Sequence, residues 1–251
     1  MNRFADHVVL VTGAASGIGL AAAQRFVAEG AHVYFADRDG DRLADAVAAP
    51  AQARRSHAVP FDATDEEAWS LLADRIGREA GRLDVLVNNV GSAAVRPIAE
   101  TTLAQWRETM AINLDSVFLG TRTMLPLLAA SGRGAIVNLS SVRGIIGGVD
   151  IAGYCAAKGG VRLFTKATAL ECAALGNGVR ANSVHPGLIE TPLAAAVFSD
   201  LEKAAERLAA IPLGRMGQAD EIADAILFLA GAESRYMTGA ELVIDGGTSV
   251  Q

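Results

Sequence analysis

The sequence predicts an α/β protein built on one doubly wound, seven-stranded parallel sheet with helices on both faces. Three observations carry that expectation. Short apolar runs alternate with helix-patterned stretches from one end of the 251-residue chain to the other, the order expected of strands joined by crossover helices. The runs are continuous in Val, Leu and Ile and lack polar alternation, as in strands covered on both faces. The first run passes directly into Thr12-Gly13-Ala14-Ala15-Ser16-Gly17-Ile18-Gly19, a glycine-rich turn that opens a helix.

In chain order, strands are expected at His7–Val11, His32–Ala36, His57–Phe61, Val85–Asn88, Ala135–Leu139, Arg180–Val184 and Glu241–Ile244. Helices are expected over Gly17–Glu29, Asp39–Ala48, Asp65–Glu79, Leu103–Ala130, Tyr154–Ala174 and Gln218–Ala230, with a less regular helical piece over Pro192–Ala210. Asp37, at the end of the second strand, is one candidate to cap the second helix, and Asp39 could cap it equally well. No repeat, heptad array or flexible linker interrupts the pattern, so residues 1–251 read as a single domain.

Composition excludes several classes of function. Hydrophobic residues make up 51% of the chain and mean hydropathy is +0.28, enough to bury a large core. The net charge of −6, with Lys and Arg scattered, provides no basic stripe for nucleic acid or anionic lipid. Val8 to Gln24 is uncharged, but Thr12, Gly13, Ser16, Gly17 and Gly19 make it too polar to span a membrane. The N-terminus leads from Met1-Asn2-Arg3-Phe4-Ala5-Asp6 into a strand without a signal-peptide pattern, and the chain reads as cytoplasmic. Cys155 and Cys172 fall on one helix about 25 Å apart, too far to bridge, and are expected as reduced packing residues. No metal-ligand cluster is read.

The chemistry concentrates in Tyr154-Cys155-Ala156-Ala157-Lys158 and in Ser141, thirteen residues upstream of Tyr154. Positions i and i+4 share a helix face, so the Lys158 ammonium is expected beside the Tyr154 phenol, favouring its ionised form. A free phenol titrates near ~10, and such a shift would let Tyr154 exchange a proton with an alcohol or ketone oxygen near neutral pH. Ser141 would hydrogen-bond that oxygen. Ser140 would face the other way, and His185, before Pro186-Gly187 at a strand end, reads as a packed structural histidine. Gly13, Gly17 and Gly19 let the backbone approach a pyrophosphate at the helix N-terminus, with Ser16 and the Ile18 amide as direct contacts. Asp37 would accept hydrogen bonds from an adenosine ribose and repel a 2′-phosphate, favouring NAD over NADP, although Arg38 beside it could host that phosphate.

The ordered set Thr12-Gly13-x-x-x-Gly17-x-Gly19, Asp62, Asn88-Asn89-Val90-Gly91, Asn113, Ser141, Tyr154-x-x-x-Lys158 and Pro186-Gly187 resembles the short-chain dehydrogenase/reductase family, from Val8 to Gly247. The resemblance implies a Rossmann-like fold, a nicotinamide cofactor and commonly a homotetramer. It implies that Asp62 and the Ala63 amide flank the adenine and that Asn89 lies near the adenosine ribose. Ile189 and Thr191 would contact the nicotinamide carboxamide, Lys158 the nicotinamide ribose, and Asn113 would order a water linking Lys158 to solvent. Val90 stands where the family usually has Ala, for which a local packing adjustment is expected. The small apolar side chains of the expected flap over 192–210, with Val142, Ile145, Ile146 and Val149, point to a neutral, hydrophobic secondary alcohol or ketone: cyclic, aromatic or steroid-like. A 3-oxoacyl-carrier-protein reductase is the alternative, using Arg133 and Arg162 toward an acidic carrier. A non-catalytic dinucleotide sensor is a further one, disfavoured because Asn113, Ser141, Tyr154 and Lys158 are all present.

Overall fold

The computed structural model describes residues 2–48, 54–195 and 208–250. The seven expected strands form at β1 (Val8–Thr12), β2 (His32–Asp37), β3 (Ser56–Pro60), β4 (Val85–Asn88), β5 (Ala135–Leu139), β6 (Arg180–Pro186) and β9 (Glu241–Ile244). All pair in parallel, in the order β3-β2-β1-β4-β5-β6-β9. Strand order reverses between β1 and β4, where connections leave to opposite faces and open a crevice at the carboxyl ends of the strands. Register aligns Val9 with Val33 and Val85, and Asn88 with Asn138.

Alternation along each strand sorts the core into two layers. Val9 and Val11 pack with Ala22, Ala23 and Phe26 of α1 (Gly17–Ala28) and with Ile222 and Ile226 of α8 (Ala219–Ala230). Leu10 and Leu86 face the other way, toward Trp69, Leu72 and Ile76 of α3 (Glu66–Ala80) and Met124 and Leu128 of α5 (Ser116–Ala130). Each fully buried Leu or Phe contributes about 1.5–3 kcal/mol relative to exposure, so neither layer is dispensable. Of the two candidates it is Asp39 that caps α2 (Gly40–Val47), and Asp65 caps α3.

Two elements depart from the sequence reading. The single helix expected over Leu103–Ala130 is three pieces: α4 (Leu103–Met110), a π-helical turn over Ala111–Asp115, and α5. The buried Asn113 causes this locally, because its Nδ2 donates to the Thr109 carbonyl at 3.0 Å and competes for a helix acceptor. A second sheet of two residues per strand, β7 (Ile189–Glu190) with β8 (Gly217–Gln218), also appears. It is too short to leave a periodic signal. Of the expected flap, only α7 (Pro192–Ala195) and the stretch 208–210 fall within the described residues; 196–207 lie outside them. The catalytic-motif helix α6 spans Ala152–Leu175 and carries both cysteines, which are free. Among the described residues no helix is long and apolar enough to cross a membrane.

Candidate active site

The glycine-rich turn is shaped by three backbone requirements. Gly13 and Gly17 have φ of 65° and 53°, the left-handed region that favours glycine. A Cβ on Gly13 would stand 2.8 Å from Asn89 Nδ2, and one on Gly19 only 2.1 Å from the Gly13 carbonyl oxygen. Ser16 precedes α1 in an extended conformation and makes no side-chain cap bond, so its hydroxyl does not satisfy the first-turn amides, Ile18 among them. This open cradle is what a pyrophosphate needs. Thr191 closes over it, its Cγ2 3.2 Å from where a Gly17 Cβ would stand. The buried Ile189 is tied to Thr191, whose Oγ1 donates to the Ile189 carbonyl at 3.3 Å.

Asp37 sits at the edge of the same cradle, where one carboxylate oxygen accepts from the Ala15 amide and the other from the Asp39 amide, both at 3.1 Å. With Asp39 accepting from Arg42 N as the helix cap, Asp37 is not a capping residue. Asp62 accepts from the Thr64 amide and hydroxyl, both at 2.8 Å. Those bonds, with Arg38 nearby, hold its carboxyl below the usual range. Ala63 is buried and its carbonyl accepts from the Trp69 indole at 2.9 Å. Asn89 supports the turn from beneath: its Nδ2 donates to the Thr12 carbonyl at 3.0 Å and the Gly13 carbonyl at 3.3 Å. Both bonds use the Nδ2 amide nitrogen, which braces the glycine turn.

The chemical half is assembled from α6, the end of β5 and the π turn. Ser141 caps the 3-10 turn Val142–Gly144, its Oγ accepting from the Arg143 amide at 3.1 Å. It also shares a hydrogen bond with the half-buried Tyr154 phenol. Lys158 is buried, with its Nζ donating to the Leu139 carbonyl at 2.8 Å and 5.9 Å from the Tyr154 ring centre. Asn113 is held on three sides, by Ser92 O and Thr109 O through Nδ2 and by Ser92 N through Oδ1. Gly91 marks the point of convergence, since a Cβ there would stand 3.1 Å from Asn113 Oδ1 and 3.3 Å from Lys158 Nζ. Val90 next to it packs on the second core layer.

The electrostatics differ from the sequence expectation. Burial pushes the Tyr154 phenol above its ordinary value, opposed by the Ser141 hydrogen bond and by Arg143. Burial likewise brings Lys158 down to about 8. Helical spacing put the two side chains together, but desolvation of each outweighs their mutual effect in this state. Ser140 turns away as expected and donates to the Lys158 carbonyl at 2.9 Å. His185 is packed and hydrogen-bonded, also as expected.

The segment Asn88-Asn89-Val90-Gly91 joins the two halves: Asn89 braces the glycine turn, while Gly91 makes room for Asn113 and Lys158. Asn88 Nδ2 donates to Asn138 Oδ1 at 2.9 Å, and Asn138 to Thr165 of α6 at 2.9 Å, tying β4 and β5 to that helix. Gly91 was part of the motif Asn88-Asn89-Val90-Gly91 read from the sequence, whereas Ser92 and Thr109 were not singled out. Only the turn chemistry around Asn113, which carries no periodic signature, could have pointed to them.

This arrangement has close relatives. A family model described as Enoyl-(Acyl carrier protein) reductase matches residues 13–249. The cyclopentanol dehydrogenase of Comamonas sp. (strain NCIMB 9872) is 41% identical over 248 residues, 98% of each chain. The NADP-dependent (R)-specific alcohol dehydrogenase of Lentilactobacillus kefiri is 39% identical, covering 100% of this chain and 99% of its own. The 3-alpha-(or 20-beta)-hydroxysteroid dehydrogenase of Mycobacterium tuberculosis (strain ATCC 25618 / H37Rv) is 40% identical, covering 98% and 91%. Among solved structures, the crystal structure of gox2181 superposes with a TM-score of 0.94 at 32% identity, covering 99% and 98%. Glycine cradle, ordered motifs and full-length likeness agree, and the chain belongs to the short-chain dehydrogenase/reductase family.

Proposed function

We propose that this protein is an NAD-dependent dehydrogenase/reductase acting on neutral, hydrophobic secondary alcohols and the corresponding ketones. The observation that carries the reading is the convergence of Ser141, Tyr154, Lys158 and Asn113 beside the glycine cradle, at the crevice where strand order reverses. Relatives named as cyclopentanol, (R)-specific alcohol and hydroxysteroid dehydrogenases support alcohols as the substrate class.

The residues present fit a nicotinamide dinucleotide. Gly13, Ser16, Gly17, Ile18 and Gly19 would hold the pyrophosphate, Asp37 and Asn89 the adenosine ribose, and Asp62 and Ala63 the adenine. Ile189 and Thr191 would hold the carboxamide, with Tyr154 and Lys158 at the nicotinamide ribose. When bound, the nicotinamide supplies the hydride acceptor for alcohol oxidation or the donor for ketone reduction. Tyr154 Oη takes the hydroxyl proton in one direction and returns it in the other. Ser141, whose Oγ already accepts from Arg143 N, keeps its hydrogen to donate to the substrate oxygen or to Tyr154. The buried Lys158 stabilises negative charge at Tyr154 as it develops, and Asn113 orders the water path from Lys158 outward.

Asp37 supports NAD. Its carboxylate is anchored by two backbone amides, and a 2′-phosphate about 4 Å away in a partly dry pocket would be repelled by several kcal/mol. Arg38 is exposed, and the NADP-dependent relative marks the opposing possibility that a test must address. The acyl-carrier reading loses its basic docking residues, because Arg133 is bound to the buried Asp84 at 2.7 Å and Arg162 to Glu241 at 2.8 Å.

We further read the enzyme as a cytoplasmic homotetramer: Leu103, Phe118, Leu163 and Leu170 are exposed on α4, α5 and α6, an apolar face suited to pairing between copies. Light scattering should give a tetramer that Phe118→Glu shifts to smaller species; a fully active wild-type monomer would sink that reading. The functional test is absorbance at the reduced-nicotinamide band with cyclic, aromatic and steroidal alcohols and with acyl thioester substrates, each with NAD and NADP. Turnover of cyclic or steroidal alcohols with NAD is expected. Cofactor binding without turnover on any alcohol would favour the sensor, and turnover confined to acyl thioesters would favour the acyl-carrier enzyme.

A further inference from the structure

His185 is fully buried at the end of β6 and has no part in the proton path above. Its ring nevertheless contacts the main chain of Ser141. Nδ1 is 3.2 Å from the main-chain carbonyl of Ser141, and Nε2 is 2.8 Å from Ser183 Oγ. The partners decide the tautomer. A carbonyl oxygen only accepts, so Nδ1 must carry the hydrogen; Nε2 is then a lone pair, and the Ser183 hydroxyl donates to it. The opposite tautomer would set the Nδ1 lone pair against the Ser141 oxygen. Ser183 has little to lose by turning its hydrogen to Nε2, because its other acceptor, the Ala240 carbonyl, is 3.4 Å away and already accepts from Ser183 N at 3.0 Å.

Resting on the reading of Ser141 as the hydroxyl that meets the substrate oxygen, we propose that His185 is a positioning residue for the reaction: a neutral imidazole that donates from Nδ1 to Ser141 O. The Gly144 amide donates to the same carbonyl at 2.9 Å, so the Ser141 peptide is gripped from the 3-10 turn in front and from β6 behind. Ser141 Oγ accepts from Arg143 N, and with the peptide fixed its remaining hydrogen has a defined direction. Charged groups from the neighbouring elements surround the histidine: Arg162 and Lys166 from α6, and Glu241 from β9, which binds both. Burial holds the imidazole below its ordinary pKa, with the two cations acting in the same direction and the Ser141 hydrogen bond and Glu241 against them. The histidine thus works as a hydrogen-bond donor without becoming a second base.

Three measurements test this. Nitrogen-15 NMR of histidine-labelled enzyme should show the Nδ1-protonated tautomer for His185; an Nε2-protonated ring overturns the proposal. His185→Leu, which removes the donor while keeping bulk, should lower kcat about tenfold and leave cofactor Kd unchanged, and His185→Asn, which restores an amide donor near Nδ1, should recover kcat to within about twofold. In a Ser141→Ala background His185→Leu should change residual kcat by less than about twofold, since its effect runs through Ser141. Equal losses in both backgrounds, or a wild-type kcat in His185→Leu, would show a role in packing alone. If the leucine variant does not fold, His185→Asn and His185→Gln decide: only Asn places its donor toward Ser141, and equal kcat values overturn the proposal. A wild type inactive on every alcohol would remove the functional reading and this role together, whereas an active wild type indifferent to His185→Leu removes this role alone.

Discussion

The two halves of the site are built from different materials. Around β1, α1 and β2 the proposed nucleotide surface is mostly backbone: glycines at positive φ, an extended Ser16, and a carboxylate pinned by amides. Around β5, α6 and the π turn it is made of buried side chains, Ser141, Lys158 and Asn113, with titratable groups displaced from their ordinary values by loss of water. A backbone cradle is sensitive to added atoms. A desolvated polar cluster is sensitive to lost ones, and it carries a stability penalty that its chemistry requires.

The largest expected break falls on the side-chain half. Tyr154→Phe keeps the ring and removes the proton carrier, so kcat should fall by about 10²–10⁴ while cofactor Kd stays within a few-fold. Retention of more than a tenth of kcat would refute the role of Tyr154. On the backbone half, Gly19→Ala adds one methyl at 2.1 Å from the Gly13 carbonyl. Overpacking of this kind costs about 1–3 kcal/mol, and it should appear in calorimetry as cofactor affinity weakened about tenfold or more; unchanged affinity would mean that the turn does not hold the nucleotide.

Asp37→Ala tests the carboxylate at the edge of the cradle. It should improve kcat/KM for NADP about tenfold while harming NAD modestly, as the repelling charge is removed. A wild type that already prefers NADP would show Arg38 to dominate.

The smallest effect, one on stability, is the most diagnostic of the contrast. Lys158 is buried with one carbonyl partner, and burial brings it down to about 8. Below that pH both folded and unfolded chains carry the proton, and the folded state bears the full cost of a buried ammonium. Between about 8 and the ordinary lysine value of ~10.4, the folded chain releases the proton while the unfolded chain retains it, so this group makes stability rise with pH. Lys158→Met should therefore abolish most turnover yet raise Tm by a few degrees at pH 7. The gain should shrink by pH 10, and melting curves showing a pH-independent difference would contradict it.

The sheet was legible because its strands are buried on both faces and read as unbroken apolar runs; all seven appear within two residues of where the pattern puts them at either end. Tyr154 and Lys158 were legible because helix spacing alone brings i and i+4 together. The break at Asn113 was not, because it arises when a side chain takes a helix carbonyl, and that choice depends on Ser92 arriving from β4. The β7–β8 pairing likewise depends on two segments far apart in sequence.

By itself the sequence determined the order of elements, the glycine turn and which side chains share a helix face at the proposed site, since these follow from local periodicity, backbone freedom and fixed short spacings. Tertiary structure decided the ionisation of those side chains and their bracing. Burial moved Tyr154 up and Lys158 down, against the expectation from spacing, and His185 came to rest behind Ser141, forty-four residues away along the chain. Desolvation and long-range hydrogen bonding depend on what packs around a group, and no local pattern encodes that.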